Sequence, residues 1–336
     1  MTLIVSRVEA IAASPTLATR MLAQRMRAEG KDVLTVSSGE PEFDTPDHIK
    51  EAAIAAIRAG ATKYTDVLGT RALRRAVAAK FREDNGIDCT EDEVVIATGS
   101  KQVIFNALLA TIAEGDEAII PAPCWVSYPA IVSLAGGKPV ILPCRRESGF
   151  KLLPEELERA ITDRTKWVIL NNPCNPTGAA YDADELRALG AVLLRHPQVF
   201  VLTDDIYEKL VYDEFAFATL AQAEPRLKSR TMTVNGCSKS YAMTGWRIGY
   251  GAGPRPLIVA INKVQGHSTS NASSVGQAAA LAALTGPQEC VLAMREAFAR
   301  RRDCVVTLLN EAPGLSCHRP QGAFYAFPDL SATLGR

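Results

Sequence analysis

Lys239 sits in the stretch NGCSKSYAMTGWRIGY (235–250), among small and hydroxylated residues, and Arg247 follows eight positions later. Most lysines lie on solvated surfaces, where flanking glycines serve no purpose. An amine in a cramped loop is instead placed to form an imine with an aldehyde, the usual covalent role of lysine. Arg247 offers a planar fork suited to a phosphate. TGSKQ (98–102) opens a helix with Gly99 and Ser100, whose first backbone N–H groups would also face an anion. Asp204 closes an apolar run, where a buried carboxylate needs a cationic partner. Tyr207 adds a phenol three residues on, Asn175 an amide, and Trp125 a flat apolar face for stacking. Singly, these residues have plainer explanations: a lone Trp125 or Tyr64 is more often core, and NPTG (175–178) alone is a tight turn. GYGAG (249–253) lacks the last glycine of a dinucleotide loop.

Positioning such groups requires a framework, and the chain supplies a regular one. Seven short, β-branched-rich runs end in polar or glycine-rich turns: EVVIATG (93–99), DEAIIPAP (116–123), KPVILPC (138–144), KWVILNNP (166–173), VFVLTDDIY (199–207), TMTVNGCS (231–238) and WRIGYGAG (246–253). Each is too short for a buried helix and predicts a buried strand. Helical stretches lie between them, such as 101–115, closed by Gly115, and 182–196, capped by Asp182 or Asp184. Strands alternating with helices predict an α/β fold with a mostly parallel sheet covered on both faces. Ligands in such sheets sit at the carboxyl ends of the strands. Five of the unusual segments, TGSK, CW, NNPCNPTG, DDIY and SKS, fall at those ends and are expected to converge on one crevice. From about Ile258 to Asn310 the pattern is helical with a break at TGPQE (285–289). GAFYAFPDL (322–330) then starts a strand, which has nothing to pair with unless the N-terminal segment supplies it.

Composition narrows the function classes. The 336 residues are 47% hydrophobic and 22% charged, with a formal net charge of zero, enough for one large domain and part of another. That balance gives no electrostatic reason to expect nucleic acid or an anionic membrane. The basic run Arg300 to Arg302 is followed by Asp303 and reads as a solvated helix face. No apolar run approaches the roughly 18 to 20 residues that span a bilayer. The opening MTLIVSRVEAIAASP places its apolar residues before Arg7 and Glu9, the reverse of a signal peptide. Eight cysteines without a CxxC pair read as reduced thiols, so a cytoplasmic protein without a metal site is expected.

An aldehyde bearing a phosphate, a protonated ring nitrogen, a ring hydroxyl and a flat aromatic ring describes pyridoxal 5'-phosphate. GCSKSYAMTGWRIG (236–249) resembles the lysine signature of class I pyridoxal-phosphate-dependent aminotransferases, and NPTG and DDIYE (204–208) are two further marks of that family. SSGEPEFDTP (37–46), TKYT (62–65) and PCWVSYP (123–129) are similar to its bacterial aspartate aminotransferase branch, which includes the aspartate/prephenate enzymes. The resemblance runs in order over essentially the whole chain.

It implies the fold-type I architecture: a mostly parallel seven-stranded sheet in a large domain, expected over 46–285, with an N-terminal arm and small-domain segment over 1–45. A smaller α/β domain would begin over 286–336 and stop short of completion. It implies that Lys239 holds the cofactor and shuttles a proton, that Asp204 rather than Asp205 pairs with the ring N–H, and that Tyr207 and Asn175 hydrogen-bond the ring oxygen. Trp125 would stack on the ring, with Arg247, Ser100 and Lys101 on the phosphate side. Gly39 would lie in a loop closing over substrate beside Trp125 and Asn175, with Lys101 and Thr16 toward a distal carboxylate. Tyr64 would reach the phosphate of a neighbouring subunit, implying a homodimer with shared sites. The implied activity moves an amino group between aspartate, or glutamate, and a 2-oxo acid such as 2-oxoglutarate by a ping-pong path. The same fold hosts aromatic or prephenate aminotransferases and carbon–sulfur β-lyases, and a cofactor binder without turnover is a further alternative. Position 236 is Gly236 where some relatives place a hydroxyl, Ala12 stands where prephenate users often carry a basic residue, and no residue takes the part of the family's C-terminal carboxylate-binding arginine.

Overall fold

The seven apolar runs form one sheet. Its strands are β1 (Val94–Ala97), β2 (Glu117–Ala122), β3 (Lys138–Pro143), β4 (Thr165–Asn171), β5 (Phe200–Asp204), β6 (Thr231–Gly236) and β7 (Gly249–Ala252). They lie in the order β1-β7-β6-β5-β4-β2-β3 in a computed structural model that describes residues 3–12, 15–36 and 39–334. Ser37 and Ser38 of the 37–46 motif fall outside the described residues. Pairing is parallel from β3 through β6, while β7 runs antiparallel to both β6 and β1.

Alternation of side chains across the pleat sends each strand's residues into two cores. Val94 and Ile96 of β1 pack with the helices Asp47–Arg58, Arg71–Asn85 and Ser274–Thr285, through Ile49, Leu73, Phe81 and Ala279. Val95 and Ala97 face the opposite side, against the helices Ser100–Leu109 and Arg255–Gly266 through Val103, Ile104, Ile258 and Ile261. A third core joins Val168, Leu170 and Val201 to Leu186, Leu189 and Leu193 of the helix Ala183–Arg195. Strands buried on both faces need unbroken apolar runs, and β1, β6 and β7 bury every residue. Edge strand β3 is instead blunted by Lys138, Pro139 and Pro143.

Several local expectations are resolved or corrected. Asp182, not Asp184, caps its helix: its carboxylate accepts from the N–H groups of Asp184 and Glu185, and Glu185 reaches back to the Asp182 N–H at 2.9 Å. The helix after β1 stops at Leu109 rather than running to Gly115. Asp116 accepts from the Ala113 N–H at 2.8 Å, and this turn, closed by Gly115 at φ 91°, swings the chain into β2. The TGPQE break separates helices ending at Thr285 and starting at Glu289, but a second break at 267–273 was not foreseen. Ser273 ends that break by capping the helix after it, accepting from the Gly276 N–H at 3.2 Å.

Within 322–330 only β9 (Pro328–Asp329) is strand, and it pairs antiparallel with β8 (Ser316–Cys317), so its partner is local and not N-terminal. The two are joined by a connection of ten residues, 318–327, too long to read as a hairpin turn from sequence. An aromatic cluster of Phe43, Tyr207, Phe298, Phe324 and Tyr325 draws this C-terminal segment and the 39–45 segment onto the exit of β5. Phe43 meets Phe298 edge-on at 5.4 Å and Phe298 stacks on Phe324 at 5.1 Å. Among the described residues no helix is long and apolar enough to cross a membrane.

Candidate active site

A cavity of about 480 Å³ opens at the carboxyl ends of the parallel strands, and the five expected segments all line it. Asp204, the last residue of β5, is buried at its floor. Its carboxylate accepts from the Tyr128 hydroxyl at 2.7 Å, and burial raises its pKa to about 6 despite that bond and the nearby Lys239. No ion pair among the described residues includes Asp204. The adjacent Asp205 points away from the cavity: both its oxygens are buried and it is not among the lining residues.

Lys239 follows β6 in a loop of turns, and its ammonium donates to the Gly39 carbonyl. Burial lowers its pKa to about 8; Glu40 and Asp204 act to raise it, Arg247 and Lys101 to lower it. Asn171, at the end of β4, ties two neighbouring segments together. It accepts from the Asn175 N–H at 2.7 Å and donates to the Asp204 carbonyl at 2.7 Å. Tyr207 is buried beside them, within reach of the Asn175 side chain, and its oxygen lies 2.5 Å from that of Tyr325.

At the other end, the helix Ser100–Leu109 begins under Arg247. Arg247 holds a left-handed backbone, φ 56°, a region that a non-glycine residue enters only where its surroundings impose it. Its guanidinium donates to the Thr244 carbonyl at 2.9 Å and lies over Gly99, where a Cβ would stand 2.3 Å from Nη2. A Cβ on Gly249 would strike the Ser100 N at 2.0 Å, and one on Gly236 the Ser100 Oγ at 2.6 Å. The absence of a side chain at 236 thus has a steric reason: the Ser100 hydroxyl fills that space and donates to the Asn235 carbonyl at 2.7 Å. Lys101 places its ammonium 4.7 Å from the Trp125 ring, with its pKa lowered by burial and by Arg247. Trp125 is braced edge-on by Tyr128 at 5.3 Å. Thr16 and Gly39 also line the cavity, whereas Ala12 does not. Tyr64 is 91% exposed and lies outside it.

Sequence reasoning missed several lining residues, among them Tyr128, Ser238, Asn171 and Tyr325. Tyr128 sat inside the quoted PCWVSYP, where a search for the partner of a buried carboxylate at helical spacing from Trp125 would have found it. Ser238 adjoins Lys239, and Asn171 precedes the NPTG turn. Tyr325 carried no local signal, since 118 residues separate it from Tyr207.

The donor set fits a flat, phosphorylated aldehyde. A buried carboxylate that forms no ion pair among the described residues suits a protonated ring nitrogen. The Ser100 helix start, with Arg247 beside it and glycines at 99, 236 and 249 that leave no room for a Cβ, makes a cradle for an anion. A desolvated amine lies between the two. Such a set could hold an aromatic aldehyde phosphate beside a lysine amine.

The model of the family "Aminotransferase class I and II" matches residues 31–334, and the chain belongs to that family; it is a pyridoxal-phosphate-dependent aminotransferase. It is 57% identical over 323 residues to the aspartate/prephenate aminotransferase of Cereibacter sphaeroides, covering 96% of this chain and 81% of that one. It is 53% identical over 331 residues to an aspartate aminotransferase of Rhizobium meliloti, covering 98% and 81%. Among solved structures, the Rhizobium meliloti aspartate aminotransferase superposes with a TM-score of 0.97 at 52% identity, over 100% of this chain and 84% of that one. The Thermus thermophilus aspartate aminotransferase with maleate superposes with a TM-score of 0.95 at 41% identity, over 100% and 87%.

Proposed function

We propose that this aminotransferase moves the amino group of L-aspartate, or of glutamate, to a 2-oxo acid such as 2-oxoglutarate by a ping-pong path. The observation that carries this is the second amine, Lys101, held over Trp125 on the cavity wall together with Thr16. A cation in addition to the reacting amine and the Arg247 assigned to the phosphate suits a substrate with a second carboxylate. The relatives' names and the dicarboxylate maleate in the Thermus structure support the same choice.

Pyridoxal phosphate, once bound, supplies an aldehyde that captures the substrate amine and a ring that withdraws electrons from the α-carbon. Asp204 would hold the ring nitrogen, Tyr207 and Asn175 the ring oxygen, and Trp125 the ring face. Ser100 and Arg247 would hold the phosphate. The Lys239 Nζ, with its pKa near 8, is unprotonated in a useful fraction near neutrality and can move a proton off the substrate α-carbon. Gly39, whose carbonyl accepts from Lys239, would bring the 39–45 segment over the substrate.

The reading extends to the whole protein. Tyr64, exposed on its own chain, would complete the phosphate site of a second copy, so a homodimer is expected; sedimentation of the loaded protein at the monomer mass would count against it. Three aliphatic cores drawn almost wholly from 46–285, with Val291 joining one of them, and the aromatic cluster that joins Phe43 to Phe324 support a large domain flanked by the 1–45 and 286–336 segments. Eight free cysteines support a reducing, cytoplasmic setting.

The test is the first half-reaction. Adding L-aspartate to the loaded protein should convert its cofactor absorbance to that of the aminated form. Lys101→Ala should raise the aspartate concentration required about ten- to a hundredfold, the worth of one charge-assisted hydrogen bond. No spectral change at saturating aspartate would sink the proposal.

A further inference from the structure

The phenol oxygens of Tyr207 and Tyr325 lie 2.5 Å apart, with the rings edge-to-face at 5.6 Å and 83°. A phenol has one proton to donate, so in this pair one oxygen donates and the other accepts. The direction decides whether the Tyr207 proton is spent within the protein or remains available to whatever occupies the cavity.

Three features favour donation from Tyr325. Tyr207 is 3% exposed and the more enclosed of the two, and burial together with the Tyr325 phenol pushes its pKa well up; burial pushes Tyr325 up to about 12. Tyr207 has one proton, and with that proton on the cofactor's ring oxygen the 2.5 Å contact can only be donated by Tyr325. On its outer side Tyr325 is pinned by Gly39, where a Cβ would stand 2.5 Å from the Tyr325 oxygen, so the Tyr325 oxygen is fixed over Tyr207. Asn175 faces Tyr207 from the cavity side, next to the position where the ring oxygen is expected.

We infer that Tyr325 is a positioning residue whose hydroxyl donates to the Tyr207 oxygen and so directs the single Tyr207 proton at the bound cofactor. The inference rests on the assignment of Tyr207 to the cofactor's ring oxygen made above. It gives the 322–326 segment a part in tuning the site: a relay from Tyr325 through Tyr207 strengthens donation to the ring oxygen, since linked hydrogen bonds polarise one another. A stronger donor there stabilises the deprotonated form of the lysine-linked cofactor and lowers its pH midpoint.

The experiment is an absorbance titration of the loaded protein against pH. The charged groups that face Lys239 are Glu40, Asp204, Arg247 and Lys101, and those facing the phenols are Asp204 and the neighbouring thiol Cys174; all are left in place by the variants. Tyr207→Phe should raise the midpoint. Tyr325→Phe, which keeps the ring contact with Phe324 at 5.0 Å, should raise it in the same direction by about half a unit to one unit, the worth of one neutral hydrogen bond. The double variant should match Tyr207→Phe alone. A purely structural role for Tyr325 would lower the melting temperature and leave the midpoint where it was. If Tyr207→Phe moves the midpoint and Tyr325→Phe does not, the inference is overturned while the assignment of Tyr207 stands. If neither moves it, the assignment of Tyr207 falls and takes the inference with it.

Discussion

Desolvation in the cavity wall is the largest influence on Lys239, and the Glu40 and Asp204 carboxylates restore only part of the ammonium's stability against Arg247 and Lys101. Its pKa near 8 sits over two units below the ordinary lysine value of about 10.4. Because the neutral amine is the nucleophile, reactivity must rise as pH passes upward through the pKa. In the cofactor-free protein, labelling of Lys239 by an amine-reactive reagent should therefore increase with a midpoint near 8. A midpoint above about 10 would mean that the amine is solvated and the cavity does not activate it. Asp204 is shifted in the opposite sense, to about 6, so that both groups are charged between roughly pH 6 and 8. Residue types alone pointed to Lys239, Asp204, Tyr207, Asn175 and Arg247, because each offers a chemistry that is wasteful in a core. Tyr128 and Tyr325 were not legible in this way. Their single polar atom matters only through a partner that the fold supplies.

Strand ends do the assembling. The ends of β1, β2, β4, β5 and β6 deliver side chains to the same rim, so the order β1-β7-β6-β5-β4-β2-β3 converts segments scattered from Ser100 to Arg247 into one cavity. The strands could be read from apolar runs because burial demands them, except that β3, expected to be buried, lies at the sheet edge with no fully buried residue. Short pairings such as β8–β9 could not, since two residues per strand leave no periodicity to detect. The glycines of WRIGYGAG have a packing reason that the sequence only hinted at. β7 passes directly against the start of the Ser100 helix, and a Cβ on Gly249 would meet backbone atoms, Ser100 N at 2.0 Å and Gly99 C at 2.3 Å. Backbone cannot rotate aside as a side chain can. Gly249→Ala should cost about 1–3 kcal/mol or more in denaturant unfolding and weaken cofactor retention. Gly245→Ala, where a Cβ has open space within 4 Å, serves as the control. Equal stability of the two variants would contradict the close approach of strand and helix.

At the scale of the molecule, segments remote in sequence converge on one chemical task. Gly39 near the N-terminus accepts from Lys239, and Tyr325 in the C-terminal segment contacts Tyr207. The central claim is that Lys239 is the residue that carries the cofactor. The most direct test is to load the protein with pyridoxal phosphate, reduce with borohydride, digest and map the modified peptide. Lys239→Ala, treated in parallel, should still bind cofactor without a reducible link, and amino transfer should fall by at least the ~10²–10⁴-fold typical of a lost general base. The account predicts a single reduced adduct on Lys239 in the unaltered protein. An adduct on Lys101 or any other lysine, with Lys239 unmodified, would contradict it.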